Sequence, residues 1–216
     1  VHDAVHTSIV MTLLLGVVFT AVGILMIPPM LNLMKTPAEI FPESSAYLTI
    51  YFAGVLGLML YNMGSGILRA VGDSKRPFYF LVVSAVLNTI LDLVFVLVFN
   101  MGVRGVAWAT IIAQFVSAIL ILITLMRTEI CIKLILRDLK MDWEMLKKVV
   151  RVGIPAAIQM AVTSFSNIFV QSYINYFGAD CMSGWTAYSK IDQLILLPVQ
   201  SIALAATTFV GQNLGL

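Results

Sequence analysis

Charged residues are scarce in this sequence. Only 11% of its 216 residues are Asp, Glu, Lys or Arg, whereas 60% are hydrophobic. A water-soluble domain has about 25% charged and 45–50% apolar residues, so these charges are too few to cover the surface of such a fold. The composition excludes a soluble globular domain and indicates an integral membrane protein.

Other chemical groups are also rare, and their absence removes several functional classes. The two cysteines, Cys131 and Cys181, support neither a disulfide framework nor a metal site. The sequence contains no phosphate-binding loop of the Walker type, no arginine ladder of a voltage sensor and no potassium-channel filter. We therefore expect no enzyme, no catalytic residue, no organic cofactor and, at a net charge of only +2, no nucleic-acid partner.

Long apolar stretches occupy most of the chain. A transmembrane α-helix needs about 20 mostly apolar residues to cross about 30 Å of hydrocarbon. Six stretches meet this length, so we predict an all-α integral membrane protein with six transmembrane helices. They lie at 7–34, 46–68, 77–100, 105–126, 152–177 and 186–214.

Positive residues are concentrated in two of the intervals between these helices. Ten of the 13 Lys and Arg residues lie in 69–76 and 127–151. The positive-inside rule places both intervals in the cytoplasm, and alternation of the spans then places both chain ends there. The pattern predicts a multi-pass protein of the cell (plasma) membrane.

The longest polar interval, 127–151, predicts a cytoplasmic linker between two groups of helices, 1–126 with four spans and 152–216 with two. An amphipathic helix on the inner membrane face is favoured there, and a plain charged linker is the alternative. Apolar residues recur in the interval at helical spacing: Leu139, Trp143, Leu146 and Val150.

One acidic residue lies deep within a predicted span. Asp92 falls about 12 Å below the outer end of its helix, counting 1.5 Å per residue. A carboxylate there is expensive, and such residues commonly mark an ion or proton path. Asn88 lies one turn earlier on the same face, and Thr110 lies on the next helix at a depth of about 7 Å, so the three side chains could converge. These oxygen ligands suit Na⁺ or a proton and no other metal; a neutral, hydrogen-bonded structural Asp92 is the alternative.

Further polar residues in the spans are candidates for lining a substrate cavity. Amides and hydroxyls also hold membrane helices together, so each has a second, structural interpretation. Tyr47 lies near the predicted outer boundary, where aromatic residues anchor helices. The candidates are Tyr47, Asn62, Gln114, Gln159, Asn167 and Gln171.

Five segments resemble, in order, the sequence signatures of the multidrug and toxic compound extrusion (MATE) transporters. Together they extend over essentially the whole chain. They are GILRAVGDSKRPF at 66–78, LNTILDLVF at 87–95, GVRGVAWATIIAQ at 102–114, GIPAAIQ at 153–159 and GQNLG at 211–215.

The resemblance implies that the chain is the third to eighth helices of a two-lobe, twelve-helix transporter. Its partners would then be the lipid bilayer and the remainder of the same polypeptide. It also implies that Asn88, Asp92 and Thr110 match the family's cation site in the N-terminal lobe, to which an aspartate of the first helix also contributes. Some relatives place an acid on the seventh helix, but 152–179 holds only neutral residues. This departure favours a site in the N-terminal lobe.

An acidic residue within a span favours a secondary transporter, and the MATE resemblance implies that this transporter is an antiporter. It would export small organic cations or amphiphiles, as in multidrug efflux, in exchange for Na⁺ or H⁺ as the coupling ion. The alternatives are a lipid-linked oligosaccharide flippase of the same architecture and a membrane scaffold that transports nothing. A flippase needs a strongly cationic cavity, yet no Lys or Arg lies in the middle of a predicted span.

Overall fold

The computed structural model describes residues 1–33, 39–176 and 179–214. Within these residues it is helical, without strands, and six helical segments are long and apolar enough to cross a membrane. The prediction of an all-α membrane protein with six spans is therefore confirmed. The segments are His2–Asn32, Phe41–Ala70, Lys75–Val98, Gly102–Arg127, Trp143–Asn167 and Ser183–Leu214.

The described residues form seven α-helices and two short helical turns. A π-helical turn, Val94–Val98, continues the fourth helix, and a 3₁₀ turn, Leu136–Asp138, lies in the linker. The α-helices are α1 (His2–Leu33), α2 (Phe41–Ala53), α3 (Val55–Ala70), α4 (Lys75–Leu93), α5 (Gly102–Arg127), α6 (Trp143–Tyr176) and α7 (Ala179–Leu214).

The second predicted span, 46–68, is divided into α2 and α3 at Gly54. The Gly54 N–H is shared between the carbonyls of Ile50 and Tyr51, at 3.2 and 3.1 Å. A side chain at this position would collide with Ile111 of α5. Glycine therefore lets the broken segment lie directly against α5.

An aspartate just before each of two helices accepts hydrogen bonds from the backbone of the first turn. Asp73 Oδ1 accepts the N–H of Arg76 at 3.2 Å at the start of α4, where Pro77 occupies the first turn. Asp142 Oδ1 accepts the N–H groups of Glu144 and Met145, both at 2.8 Å, at the start of α6. Each carboxylate satisfies N–H groups that have no partner within their own helix.

Residues Val1–Leu146 form one compact unit, in which α5 is the central helix. It packs against α2, α3 and α4, while α1 packs against α2 and α3. Buried small residues let backbones approach closely, as is common between membrane helices. Gly64 of α3, for example, would place a Cβ 2.6 Å from Ile121 Cγ2 of α5.

The linker after α5 packs onto this bundle. Ile132 and Leu134 are buried in an apolar cluster with Leu68, Ile121 and Leu125. The amphipathic helix predicted from Leu139, Trp143, Leu146 and Val150 does not include Leu139. Leu139 is extended and packs against the same cluster, whereas Trp143, Leu146 and Val150 belong to the first turns of α6.

Residues Lys147–Leu216 form the second compact unit. It contains most of α6, with Pro155 inside the helix, and α7, with Pro198 inside the helix. Nearly all of its described side chains are exposed. The boundary between the units lies within the predicted linker interval, 127–151.

Candidate cation site

Asn88 and Asp92 lie one turn apart on α4, and both side chains are partly buried. The Asn88 Nδ2 and Asp92 Oδ1 atoms are buried and have no hydrogen-bond partner among the described residues. A buried polar atom without a partner costs about 1–3 kcal/mol, and more if it is charged. Asp92 Oδ1 can therefore still accept a hydrogen bond or coordinate a cation, and Asn88 Nδ2 can still donate a hydrogen bond.

Ser84 lies one turn before Asn88, and its side chain bonds to the neighbouring helix. Its Oγ donates a hydrogen bond of 2.8 Å to the backbone carbonyl of Ala113 on α5. Because α4 and α5 run antiparallel, this bond fixes which residues lie at the same height. Counting four residues forward from Ser84 gives Asn88, and counting four residues back from Ala113 gives Ala109, so these two residues lie at about the same height.

The next step of four residues leads towards Gly105, which lies against Phe95, three residues after Asp92. Ala109 and Gly105 are both buried, and neither carries more than a methyl group. These small residues let the backbones of α4 and α5 approach closely along this stretch.

Thr110 follows Ala109 and so lies at the height of Asn88. It is partly buried, and its hydroxyl donates to the carbonyl of Val106, one turn earlier, at 2.9 Å. The hydroxyl oxygen retains its lone pairs, while its proton is held by α5. Thr110 thus shares a level with the amide, and its side-chain hydrogen bond stays within its own helix.

The helix changes geometry directly after Asp92. Val94–Val98 form a π-helical turn in which the Phe99 N–H donates to the Val94 carbonyl at 3.1 Å. Such turns insert an extra residue and occur frequently at functional sites. A Cβ on Gly105 would lie 2.9 Å from the Cβ of Phe95, so glycine is required where the turn meets α5.

Asn62 lies in a different place, on the exposed side of α3. It lines a groove of about 560 Å³ between α1 and α3. The lining is mostly apolar and includes Met11, Met59 and Met63, whose flexible side chains adapt to varied shapes. The volume lies within the range of small-molecule sites, about 300–1,000 Å³.

Within the first unit, Tyr47 and Gln114 do not line this groove. Tyr47 and Gln114 are partly buried on α2 and α5, and Tyr47 stacks on Tyr51 with ring centroids 6.3 Å apart. Gln159 and Asn167 are exposed on α6, in the second unit. The side chain of Gln171 lies outside the described residues.

The residues of the candidate site suit a monovalent cation or a proton. Among the residues that the structure describes, no three His, Cys, Asp or Glu side chains form a group that could hold a metal ion. A single carboxylate with amide and hydroxyl oxygens is a set of hard ligands with one negative charge. The assignment of Asn88, Asp92 and Thr110 to a cation site stays a prediction. The sequence analysis gave no role to Ser84, although its four-residue spacing from Asn88 and Asp92 was an available signal, and it gave none to Gly105.

Comparison with known proteins identifies the family. The MatE family model matches residues 1–94 and 155–216. The chain belongs to the MatE family. Members of this family are transporters and not enzymes, and the MATE resemblance of the five sequence segments is confirmed.

Individual relatives agree with this assignment. The chain is 34% identical over 212 residues to the probable multidrug resistance protein YpnP of Bacillus subtilis (strain 168), covering 98% of this chain and 47% of the relative. A MATE crystal structure in the bent conformation matches 95% of this chain and 47% of its own, with a TM-score of 0.87 and 28% identity. An outward-facing multidrug resistance MATE transporter matches 96% of this chain and 46% of its own, with a TM-score of 0.87 and 27% identity. The chain spans about half the length of these relatives.

Proposed function

We propose that the protein acts as a secondary active antiporter. It exports small organic cations or amphiphiles in exchange for Na⁺ or H⁺. The observation that carries the proposal is the buried carboxylate oxygen Asp92 Oδ1, which has no hydrogen-bond partner among the described residues and lies within a membrane-spanning helix. The name of its relative YpnP, a probable multidrug resistance protein, supports the export of drugs.

One oxygen of the Asp92 carboxylate is available for cation binding. Asp92 Oδ1 is buried without a hydrogen-bond partner among the described residues, so a bound cation would supply the interaction that this oxygen lacks. The Asn88 amide oxygen and the Thr110 hydroxyl oxygen are the neighbouring ligands in this proposal. The Thr110 hydroxyl donates its proton to the Val106 carbonyl, so its oxygen lone pairs remain available for this role.

Cation binding is coupled to substrate export if the conformation that opens outward and the conformation that opens inward bind the cation with different affinities. A cation can shift a conformational equilibrium only by the difference in its affinity for the two conformations. In our proposal, Asp92 takes up the cation from the outside, and the conformation that binds it releases the substrate. The two lobes then rock about the membrane midplane to return the empty site.

The groove beside Asn62 supports a substrate of mixed character. Its lining is apolar, flexible and free of charged residues, with the Thr12 and Asn62 side chains as polar groups. Such a surface suits amphiphilic compounds of varied shape better than a pyrophosphate-linked oligosaccharide, which requires cationic partners. This contrast and the multidrug resistance relatives favour drug export over the flippase alternative.

The charge pattern supports an orientation in the plasma membrane with the first residues of the chain and its linker in the cytoplasm. In this orientation the loop 71–74 and the linker 128–142 face inward. The short connection 99–101 between the π turn and α5 faces outward. Asp92 then lies in the outer half of its span, where an external cation reaches it first.

Reconstituted protein tests the proposal. The protein, expressed from its full natural coding sequence, is inserted into liposomes, and ethidium movement is followed by fluorescence under a Na⁺ gradient, a pH gradient or neither. We expect one of the two gradients to drive ethidium against its concentration gradient, and an ionophore that collapses that gradient to abolish the movement. Ethidium movement that is equal with and without both gradients would contradict antiport.

A further inference from the structure

Two residues outside the proposed ligand set lie where α4 contacts α5. One contact is before Asp92 along α4, and the other is after it. Ser84 bonds α4 to α5 at 2.8 Å two turns before Asp92, and Gly105 meets the π turn directly after it. Neither side chain belongs to the ligand set of Asn88, Asp92 and Thr110. We propose that Ser84 and Gly105 are positioning residues that set the location of the Asp92 carboxylate and hence the affinity of the site for its cation.

The positioning role of Ser84 follows from helical geometry. Ser84, Asn88 and Asp92 follow at intervals of four, and each interval rotates a side chain by about 40° because 3.6 residues make one turn. The Ser84 hydroxyl points directly at α5, so Asn88 and Asp92 turn progressively away from that helix. The rotation of α4 about its own axis therefore decides how far Asp92 points into the bundle, and the Ser84 bond fixes that rotation.

Burial makes the Ser84 bond effective. Ser84 and Ala113 are 8% and 2% exposed. Water cannot easily replace the bond at such a site, so its loss leaves the hydroxyl or carbonyl without an equivalent partner. Thr89, on the same helix, makes a different kind of bond: its hydroxyl is exposed and donates to Ala85 within α4 at 3.0 Å.

The positioning role of Gly105 follows from the lack of space for a side chain at this residue. A Cβ at this position would lie 2.9 Å from Phe95 Cβ, 3.0 Å from Met101 Cβ and 3.3 Å from the Phe95 carbonyl carbon. These atoms are fixed to the backbone, so an added methyl group must displace the π turn itself. The turn begins two residues after Asp92, and its displacement moves the end of α4 that carries the carboxylate.

The inference rests on the proposed antiport function, and its test separates the two. Ethidium exchange is measured in liposomes over a series of Na⁺ concentrations at constant pH, and over a pH series without Na⁺. The variants are Ser84→Ala, Gly105→Ala and Ser84→Thr, with Thr89→Ala and Gly153→Ala as controls. Gly153 has no atom within 4 Å of an added Cβ.

We expect Ser84→Ala and Gly105→Ala to require about fivefold more Na⁺ or H⁺ for half-maximal exchange, the effect of losing one buried hydrogen bond or a comparable misplacement. The rate at saturating cation should change less than the half-saturating concentration. Ser84→Thr, which keeps the hydroxyl, should restore the cation dependence to within about twofold of the natural protein. Both controls should also stay within this limit.

Three results would overturn the positioning roles. They are an unchanged cation dependence in Ser84→Ala and Gly105→Ala, an equal shift in Thr89→Ala, and a shift that Ser84→Thr fails to restore. If Ser84→Ala does not accumulate, Ser84→Cys replaces it under the same criteria, because its thiol is a much weaker donor in a similar shape. If Asp92→Asn in the same assay retains the natural cation dependence, the proposed function fails; if Asp92→Asn loses it while the Ser84 and Gly105 variants do not shift, only the positioning inference fails.

Discussion

The Nε2 atom of His6 lies 3.1 Å from the backbone nitrogen of Ile135, across more than half the length of the chain. His6 is 2% exposed, and its Nδ1 lies 2.8 Å from the carbonyl of His2. With the ring proton on Nδ1, that nitrogen donates to the His2 carbonyl and Nε2 accepts the Ile135 N–H, while the Ile135 carbonyl oxygen also lies 3.2 Å from Nε2. A second bond, from the Asp142 N–H to the Thr7 hydroxyl at 3.1 Å, holds the linker to the start of α1.

Replacing His6 by Phe should loosen the linker without removing the bulk of the ring. The backbone N–H of Ile135 loses its acceptor, so we expect hydrogen exchange in the peptide covering 130–142 to accelerate by about fivefold, equivalent to one lost hydrogen bond. Exchange measured by mass spectrometry on the purified protein reports this change. His2→Phe is the matched control, because the His2 side chain is exposed and contacts no linker atom in the described bonds. Equal exchange in the natural protein and His6→Phe would show that the bond contributes nothing to linker order.

Two isoleucines on α5 differ in burial and should differ in their effect on stability. Ile121 is 0% exposed and lies in the apolar cluster, whereas Ile119, two residues earlier, is 52% exposed. Ile121→Ala should lower the free energy of unfolding by about 2–4 kcal/mol, because it leaves a cavity. Ile119→Ala should lower it by less than about 1 kcal/mol. Thermal unfolding in the same detergent compares the two variants, and equal losses would contradict the packing described for α5.

Two glycines on α3 form a similar pair. A Cβ on Gly64 would lie 2.6 Å from Ile121 Cγ2, whereas a Cβ on Gly66 has no atom within 4 Å. Gly64→Ala should therefore destabilise the bundle by about 1–3 kcal/mol, the usual cost of overpacking. Gly66→Ala should be neutral or slightly stabilising, because alanine is the better helix former. The unfolding temperature of each purified variant gives the answer; a stable Gly64→Ala would mean that α3 and α5 do not pack as closely as the structure shows.

The outline of the fold could be predicted because the bilayer imposes simple rules. A helix must exceed a fixed length, and nearly every charge must lie outside it. These rules found six spans and made Asp92 conspicuous as an acid within one of them. Its pairing with Asn88 followed from the helical period alone.

Features decided by contacts between distant residues could not be predicted. The break at Gly54 depends on Ile111 of α5, and the π turn after Asp92 depends on the space at Gly105. Nothing in the sequence pattern around His6 indicates that its partner is Ile135. The same holds for Leu139, whose helical spacing predicted a membrane-surface helix although its side chain packs against the apolar cluster.

The most direct measurement is cation-driven ethidium exchange by Asp92→Asn in liposomes, compared with the natural protein at equal amounts of inserted protein. The substitution keeps the shape of the side chain and removes its charge and its exchangeable proton. We predict that exchange driven by Na⁺ or by a pH gradient falls to the level of liposomes without protein, while Glu129→Gln, which removes an exposed acid of the linker, exchanges as the natural protein does. Undiminished, gradient-driven exchange by Asp92→Asn would contradict the assignment of Asp92 as the cation-binding carboxylate.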